Sequence, residues 1–298
     1  MRNSKESIDL KKSRSTGIEW TDHTWNPFIG CSIKSAGCHN CYAMALASRL
    51  ESMGQSAYKG MTKNVSGKTI WTGEVRLNTD SALNKPNTVR PGSIFFVNSM
   101  SDFFHENATD DMRLRALDIM REVSRHQYQV LTKRPENIMT FLKRTGIKLP
   151  DNVWIGATVE GSNAVDRIDL IKKIPARIKF LSIEPLISDL GEVNLSGIDW
   201  VISGGESGPN SRPMKADWLR NVRDLSIKYK VRHFFKQWGI PENNPLYSEA
   251  PEGVSPSSWV YRNDPIGKGG SKLDGVYIKQ MPEDFKVSEY KQELLDIK

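Results

Sequence analysis

Short apolar runs alternate with helical patterns between residues 92 and 239, and this alternation organises most of the chain. The intervening segments carry apolar stripes at helical spacing, with Thr109 as an N-cap residue and Pro135 as a first helical residue. The pattern predicts βαβ units in an α/β fold, a partial, TIM-like (β/α) barrel of about six parallel strands. The six apolar runs that we predict as strands are residues 93–97, 128–131, 153–157, 178–182, 200–202 and 231–235.

The same pattern divides the chain into three parts. We expect residues 1–16 to form a disordered basic leader and residues 17–239 to form the barrel. The barrel carries an insertion at about 54–91, with short strands near Ile70–Trp71 and Glu74–Leu77. Residues 240–298 are predicted to be an irregular segment that covers one end of the fold, since five prolines and five glycines fall within 240–275.

Polar side chains follow the predicted strands, where a (β/α) barrel carries its chemistry. Asn98, Asp102, His105 and Glu160 are among them, and Gly204–Gly208 could let backbone amides approach a ligand. A tight turn without a ligand fits that glycine pattern equally well. The residues that we predict to bind a cofactor are Lys133, Arg134, Glu184, Gly204, Gly205, Glu206 and Lys236.

Charge and composition limit the cellular location and the class of partner that we expect. The net charge is +7, of which residues 1–14 supply +3, and the remaining +4 is spread over 284 residues. A basic leader could contact nucleic acid, although a solvated leader fits too. No apolar run is long enough to span a membrane, and residues 1–10 lack the apolar stretch of a secretory signal. We therefore expect a cytoplasmic protein with reduced thiols and no membrane partner.

The three cysteines of the chain lie in one eleven-residue window. Cys31, Cys38 and Cys41 have the spacing C-x6-C-x2-C. Three thiolates can hold three corners of a four-iron four-sulfur (4Fe–4S) cluster and leave one iron open. A zinc site completed by His23 or His39 is the alternative, but zinc spacings usually come as two close pairs, so we favour iron–sulfur. A helix predicted after Cys41 would place its positive end near the thiols and lower their pKa.

Ten sequence segments, spread from residue 17 over nearly the whole chain, form one set of motifs. They are Glu19–Pro27, Gly30–Ala43, Trp71–Glu74, Asn98–His105, Leu131–Pro135, Leu181–Pro185, Gly204–Gly208, Arg212–Pro213, Phe235–Gly239 and Lys272–Gly275. Together they resemble a phage-encoded family of proteins with a three-cysteine motif, which is similar to a divergent branch of the radical S-adenosylmethionine (SAM) superfamily.

This resemblance implies a radical-SAM-like enzyme. Its 4Fe–4S cluster would be bound by Cys31, Cys38 and Cys41, and SAM would bind the open iron. It also implies a separate three-cysteine-motif partner protein. The substrate is unidentified, and a nucleotide or nucleic acid is one candidate that fits the phage resemblance and the net charge. Two features depart from the radical-SAM pattern: the first cysteine gap is six residues rather than three, and Gly204-Gly-Glu206 follows a late strand rather than the second.

Two rival hypotheses remain. The protein could be a nucleic-acid-binding protein whose three-cysteine site is structural and holds zinc or an inert cluster. It could also be a phage accessory protein that mainly binds a partner. Salt-dependent nucleic-acid binding without SAM cleavage would distinguish the first of these from the enzyme.

Overall fold

The described part of the chain, residues 16–282 of a computed structural model, forms thirteen strands and seven α-helices. The strands are β1 (His23–Trp25), β2 (Phe28–Ile29), β3 (Thr62–Val65), β4 (Lys68–Trp71), β5 (Arg76–Leu77), β6 (Ile94–Val97), β7 (Gln127–Thr132), β8 (Val153–Thr158), β9 (Lys179–Ile183), β10 (Trp200–Gly204), β11 (Arg232–Gln237), β12 (Lys272–Leu273) and β13 (Val276–Tyr277). The helices are α1 (Tyr42–Ser52), α2 (Asp80–Leu83), α3 (Asp110–Glu122), α4 (Glu136–Thr145), α5 (Asp166–Lys172), α6 (Ala216–Lys228) and α7 (Pro256–Asn263).

Seven of these strands form one parallel sheet, in the order β1-β6-β7-β8-β9-β10-β11. The sheet curls into a half-barrel, and helices α3, α4, α5 and α6 connect strands along it. The predicted α/β fold with a partial (β/α) barrel is confirmed at this level. The expectation of about six strands was one short, because β1 was missed. It is only three residues long, and it pairs with β6 from about seventy positions away along the chain.

The two faces of the sheet carry different sets of buried side chains. Phe95, Val130 and Leu181 lie in a large core together with residues of the helices, such as Leu117 and Leu219. Because side chains alternate along a strand, the intervening positions point to the opposite, concave face. That face holds a second cluster, whose members include Trp20, Phe96, Trp154, Phe180, Trp200 and Phe234.

Local sequence signals explain where two of the connecting helices begin. Thr109 is the N-cap of α3, and its Oγ1 accepts a hydrogen bond from the Met112 amide at 3.3 Å, as predicted. Pro135 lies one position earlier than predicted, as the N-cap of α4. Gly146 ends α4 in the left-handed conformation that glycine adopts without strain.

Three small two-stranded sheets surround the half-barrel. Strands β3 and β4 form an antiparallel hairpin in the predicted insertion, β2 pairs with β5, and β12 pairs with β13 near the C-terminal end of the described chain. The short strands predicted near residues 70–71 and 74–77 are confirmed as β4 and β5. The predicted C-terminal covering segment contains α7, β12 and β13 as far as residue 282. Most of the predicted leader and residues 283–298 lie outside the described residues.

Among residues 16–282, none of the helices combines the length and apolar character needed to span a membrane.

Candidate functional site

Residues 30–41, which we call the cysteine loop, lie at the carboxyl edge of the parallel sheet. The loop begins at Gly30, whose amide donates to the Met100 carbonyl at 3.2 Å in the segment that follows β6. Gly30 has φ of +89°, and a Cβ there would collide with the Glu74 carbonyl. Only glycine therefore allows the chain to pass this point. The loop ends at Cys41, the N-cap of α1.

All three thiols lie on this loop, and the charge of Cys38 acts on both Cys31 and Cys41. Cys38 is buried, and Cys31 and Cys41 are half-buried. Burial, reinforced by the charges of Asp102 and Cys38, raises the pKa of Cys31 to about 12. Burial also raises the pKa of Cys41, although two α1 amides oppose the shift. The positive end of α1 therefore does not lower the pKa of the thiols as the sequence predicted, because desolvation has the larger effect.

The thiols do not converge as ligands of one ion. Within residues 16–282, no group of three or more His, Cys, Asp or Glu side chains is arranged to hold a metal ion. His23, one suggested zinc ligand, lies in β1 with its ring 5.2 Å from that of Phe95, and His39 is exposed. A 4Fe–4S cluster binds its thiolates on different irons, so its donors need not meet at one point. Three thiols on one loop supply the type of donor atom that such a cluster uses.

Arg134 fastens the first half of the cysteine loop to the strand ends. Its buried guanidinium donates to Ser32 Oγ at 2.7 Å, next to Cys31 in the chain. It also donates to Asp102 Oδ2 at 3.0 Å and to Glu106 Oε2 at 2.7 Å. Three acceptors of the protein itself therefore surround the guanidinium that the sequence predicted for an anionic ligand.

A buried histidine reinforces this contact. His105 Nδ1 accepts from the Asn107 amide at 3.0 Å, which leaves the proton on Nε2, 2.8 Å from Ser32 Oγ. Burial and the charge of Arg134 lower the pKa of His105, so the ring is neutral at physiological pH.

Glu206 fastens the second half of the loop. It accepts from the Arg212 amide and Nε, both at 2.9 Å, and from Asn40 Nδ2 at 3.0 Å. Arg212 in turn donates from Nη1 to the Ala36 carbonyl at 2.9 Å. Burial opposes ionisation of Glu206, but the bonds from Arg212 and Asn40 prevail and lower its pKa. The Gly-Gly-Glu segment thus holds the cysteine loop through its glutamate.

Glu160 supports the middle of the loop from the end of β8. Its buried carboxylate accepts from Ser35 Oγ and from Arg167 Nη1, the latter at 2.9 Å. Gly37 lies so close that a Cβ there would be 2.6 Å from Glu160 Cγ. Burial opposes ionisation of Glu160, but Lys133, Ser35 and Arg167 outweigh it and lower its pKa.

Two ion pairs lie on the concave side of the strand ends. Lys133 Nζ is 3.3 Å from Glu160 Oε1, and Lys236 Nζ is 3.0 Å from Glu184 Oε1. Lys133 and Lys236 follow the concave-cluster residues Leu131 and Phe234 by two positions, which places them on the same face. The four charged groups therefore line one end of the half-barrel beneath the cysteine loop.

The two glycines at the end of β10, Gly204 and Gly205, have separate structural roles. Glu184 follows β9 and Lys236 lies on β11, so their ion pair crosses the intervening strand β10 at Gly204. A Cβ at Gly204 would lie 2.9 Å from Glu184 Oε1. A Cβ at Gly205 would collide with the Trp238 carbonyl. Gly204 thus makes room for a side-chain pair, and Gly205 for a backbone crossing.

Tyr42 joins the cysteine loop to the concave face, and the sequence reasoning gave it no role. Its hydroxyl donates to the Ser99 carbonyl at 3.1 Å, yet 59% of its surface is open to solvent. Desolvation followed by the charge of Cys41 raises the pKa of the hydroxyl, and the charge of Glu184 adds to the shift. The ring is thus accessible from solvent while its hydroxyl is held by the protein. An aromatic residue directly after the last cysteine was the only signal for it.

Two surface hollows of the described chain lie away from the cysteine loop. One of about 620 Å³ lies between α2 and α3, and another of about 560 Å³ lies near Pro150 and Asn152. Neither is lined by a residue of the cysteine loop or by any of the predicted cofactor-binding residues.

The chain belongs to the DUF5131 family, described as proteins of unknown function, whose profile matches residues 15–282. No curated protein and no solved structure matches it.

Proposed function

We propose that the protein is a radical-SAM-like enzyme that holds a 4Fe–4S cluster on Cys31, Cys38 and Cys41. The observation that carries this proposal is the position of the cysteine loop, which Arg134, Glu160 and Glu206 hold at the carboxyl edge of a partial (β/α) barrel. Enzymes of this architecture carry their chemistry at that edge. Three thiols with no fourth cysteine in the chain leave one iron of such a cluster without a protein thiolate.

When bound, the reduced cluster would supply one electron for the cleavage of SAM into methionine and a 5′-deoxyadenosyl fragment that takes hydrogen from the substrate. The chain's own residues bind and orient the ligands, and they exclude water from the site. Aromatic side chains such as Trp154 and Trp200 pack together on the concave face and exclude water from it.

The two concave-face ion pairs fit the recognition of a zwitterion such as the methionine part of SAM. Lys236 and Lys133 offer ammonium groups to a carboxylate, while Glu184 and Glu160 offer carboxylates to an amine or a hydroxyl. Gly204 leaves the space between Glu184 and Lys236 free of a side chain. Arg134 and Glu206 act on the same ligand indirectly, by positioning the cysteine loop.

Anaerobic reconstitution tests the proposal. We expect about four irons per chain, a change in the electron paramagnetic resonance signal when SAM is added, and 5′-deoxyadenosine when dithionite is supplied. Cys38→Ser should lose iron and product together while keeping the wild-type circular dichroism spectrum. His39→Ala serves as the matched control, since it lies in the same loop and supplies no thiol.

A different metal content would overturn this assignment. One zinc per chain, no iron after anaerobic loading and no 5′-deoxyadenosine would show a structural site. Loss of zinc in His39→Ala would then identify the fourth ligand.

A further inference from the structure

The net positive charge of the chain is concentrated in two stretches and is not spread evenly. Residues 54–91 hold six Lys and Arg against two Asp and Glu, a net charge of +4. Outside this stretch and residues 1–14, the chain carries equal numbers of each sign. The excess outside the N-terminal end therefore lies in the insertion that contains the β3–β4 hairpin.

Four cations on and beside this hairpin form what we call the basic surface: Arg49, Lys59, Lys63 and Lys68. All four are exposed, and none makes an ion pair with another residue of the range 16–282. Lys68 lies opposite Val65 in the hairpin, and Val65 is two positions from Lys63 on the same strand. Because side chains alternate along a strand and paired residues share a face, both lysines project from the same face.

The nearby acidic side chains of Glu74 and Glu51 contact groups that are not part of the basic surface. Glu74 pairs with Arg76, and Glu51 accepts a hydrogen bond from the Gly60 amide at 2.9 Å. Neither neutralises a member of the basic surface. These four positive charges therefore face solvent, and they suit a polyanionic partner.

The basic surface adjoins the candidate site. The Gly73 amide, just after β4, donates to the Cys31 carbonyl at 3.1 Å. Met61 and Trp71 of the insertion share an apolar cluster with residues of α1, and Cys31 and Cys41 pack against that cluster. The hairpin is thus fixed beside the cysteine loop.

Helix α1 connects the two regions along its outer side. Tyr42, Ala45 and Arg49 are exposed and recur at helical spacing, so they lie on one face. This face carries Arg49 of the basic surface near one end and the accessible Tyr42 ring at the other. Because the Tyr42 hydroxyl donates to the Ser99 carbonyl, the ring is held in one orientation beside the cysteine loop.

We propose that the basic surface binds the backbone phosphates of a single-stranded nucleic acid and that the exposed Tyr42 ring stacks on a base beside the cysteine loop. Lysine and arginine side chains bind such phosphates, and aromatic rings form stacking platforms for unpaired bases. A base within a duplex is stacked between its neighbours, so it must leave the stack to reach a buried reaction centre. This inference rests on the proposed function in one respect: it names the substrate class of that same site.

Fluorescence anisotropy with the metal-free full-length chain tests the surface. The probes are labelled single-stranded DNA, single-stranded RNA and duplex DNA of the same sequence and length. We expect the single strands to bind more tightly than the duplex, and the comparison of DNA with RNA identifies the nucleic acid. For the triple variant Lys59→Gln, Lys63→Gln, Lys68→Gln we expect at least a tenfold loss of affinity. Its slope of log affinity against log salt should be smaller by about 2, because three phosphate contacts are lost.

The control variant removes the same charge from the helix-covered side. Lys143, Lys148 and Lys173 are exposed and make no ion pair in the described chain. The triple change of these residues to Gln should leave the affinity and its salt dependence close to wild type. Equal losses in the two triple variants would overturn the surface assignment, because net charge alone would then explain the binding. So would failure of all three probes to bind.

Tyr42 variants test the stacking contact. Tyr42→Ala should lower single-strand affinity by about tenfold, the effect of losing one stacked base, while Tyr42→Phe keeps the ring and most of the affinity. Wild-type affinity in Tyr42→Ala would overturn the stacking role.

Binding and cluster chemistry can fail separately in these experiments. Cys38→Ser should bind the oligonucleotides like the wild type, because the assay needs no cluster. If nucleic acid does not bind but SAM is still cleaved, only the substrate class is wrong. If nucleic acid binds but no cluster forms, the proposed enzyme is wrong and the surface stands.

Discussion

The buried guanidinium of Arg134 shows that one residue can be correctly located and yet have an unexpected role. Charged residues after successive strands predicted that these side chains gather at one edge, and the structure places Arg134, Glu160 and Glu206 there against the cysteine loop. The sequence could not show which charges would pair with each other. That depends on contacts such as Arg134 with Ser32, which are separated by 102 positions in the chain.

We expect Arg134→Gln to lower the free energy of unfolding by about 3 kcal/mol, because it leaves the buried Asp102 carboxylate without its charged partner. Urea unfolding of the metal-free protein measures this. Arg121→Gln is the control, since Arg121 pairs with Asp118 at the surface and should change stability by less than about 0.5 kcal/mol. Similar values for the two variants would contradict the role of Arg134 as a buried clamp.

At the scale of elements, the apolar runs predicted six of the seven sheet strands, with ends within about two residues of those observed. Buried parallel strands leave a strong local signal because both faces must be apolar. Strand β1 was missed for a physical reason. It is a sheet-edge strand flanked by polar residues, and its partner β6 is distant in the chain, so no local pattern marks it.

The end of β10 offers a contrast between adjacent glycines. Gly205→Ala should lower the free energy of unfolding by about 2–3 kcal/mol, because its Cβ meets the Trp238 backbone, which cannot move aside easily. Gly204→Ala should cost less than about 1 kcal/mol, since the end of the flexible Glu184 side chain can shift. Thermal or urea unfolding of the two variants provides the measurement.

The same Gly204→Ala change should affect ligand binding more than stability. Displacing the Glu184 carboxylate disturbs its pair with Lys236, so we expect SAM to bind the reconstituted protein about tenfold more weakly. Equilibrium dialysis with labelled SAM would show this. Wild-type SAM affinity in a well-folded Gly204→Ala protein would show that this ion pair is not part of the SAM-binding site.

At the scale of the whole molecule, buried histidines away from the site set a pH limit on stability. Burial lowers the pKa of His126, and burial with the charges of Arg223 and Lys279 lowers that of His233 to about 3. The unfolded chain therefore takes up protons below about pH 6.5 that the folded chain does not bind. Stability should fall as the pH drops below that value, by up to about 1.4 kcal/mol per pH unit for each histidine.

Urea unfolding between pH 7.5 and 5.5 provides the measurement. His126→Gln should show a shallower decline than the wild type, because one of the proton-binding differences is gone. Stability that stays constant or rises on acidification would contradict this assignment.

The contacts of Arg134 and Arg212 with the cysteine loop also bear on the order of events during biogenesis. Both use only groups of the polypeptide, so the loop acquires its shape when the chain folds, before any inorganic component arrives. A zinc finger is the opposite case, since its folding waits for the metal. In the function proposed above, the cluster would therefore be inserted into a chain that has already folded.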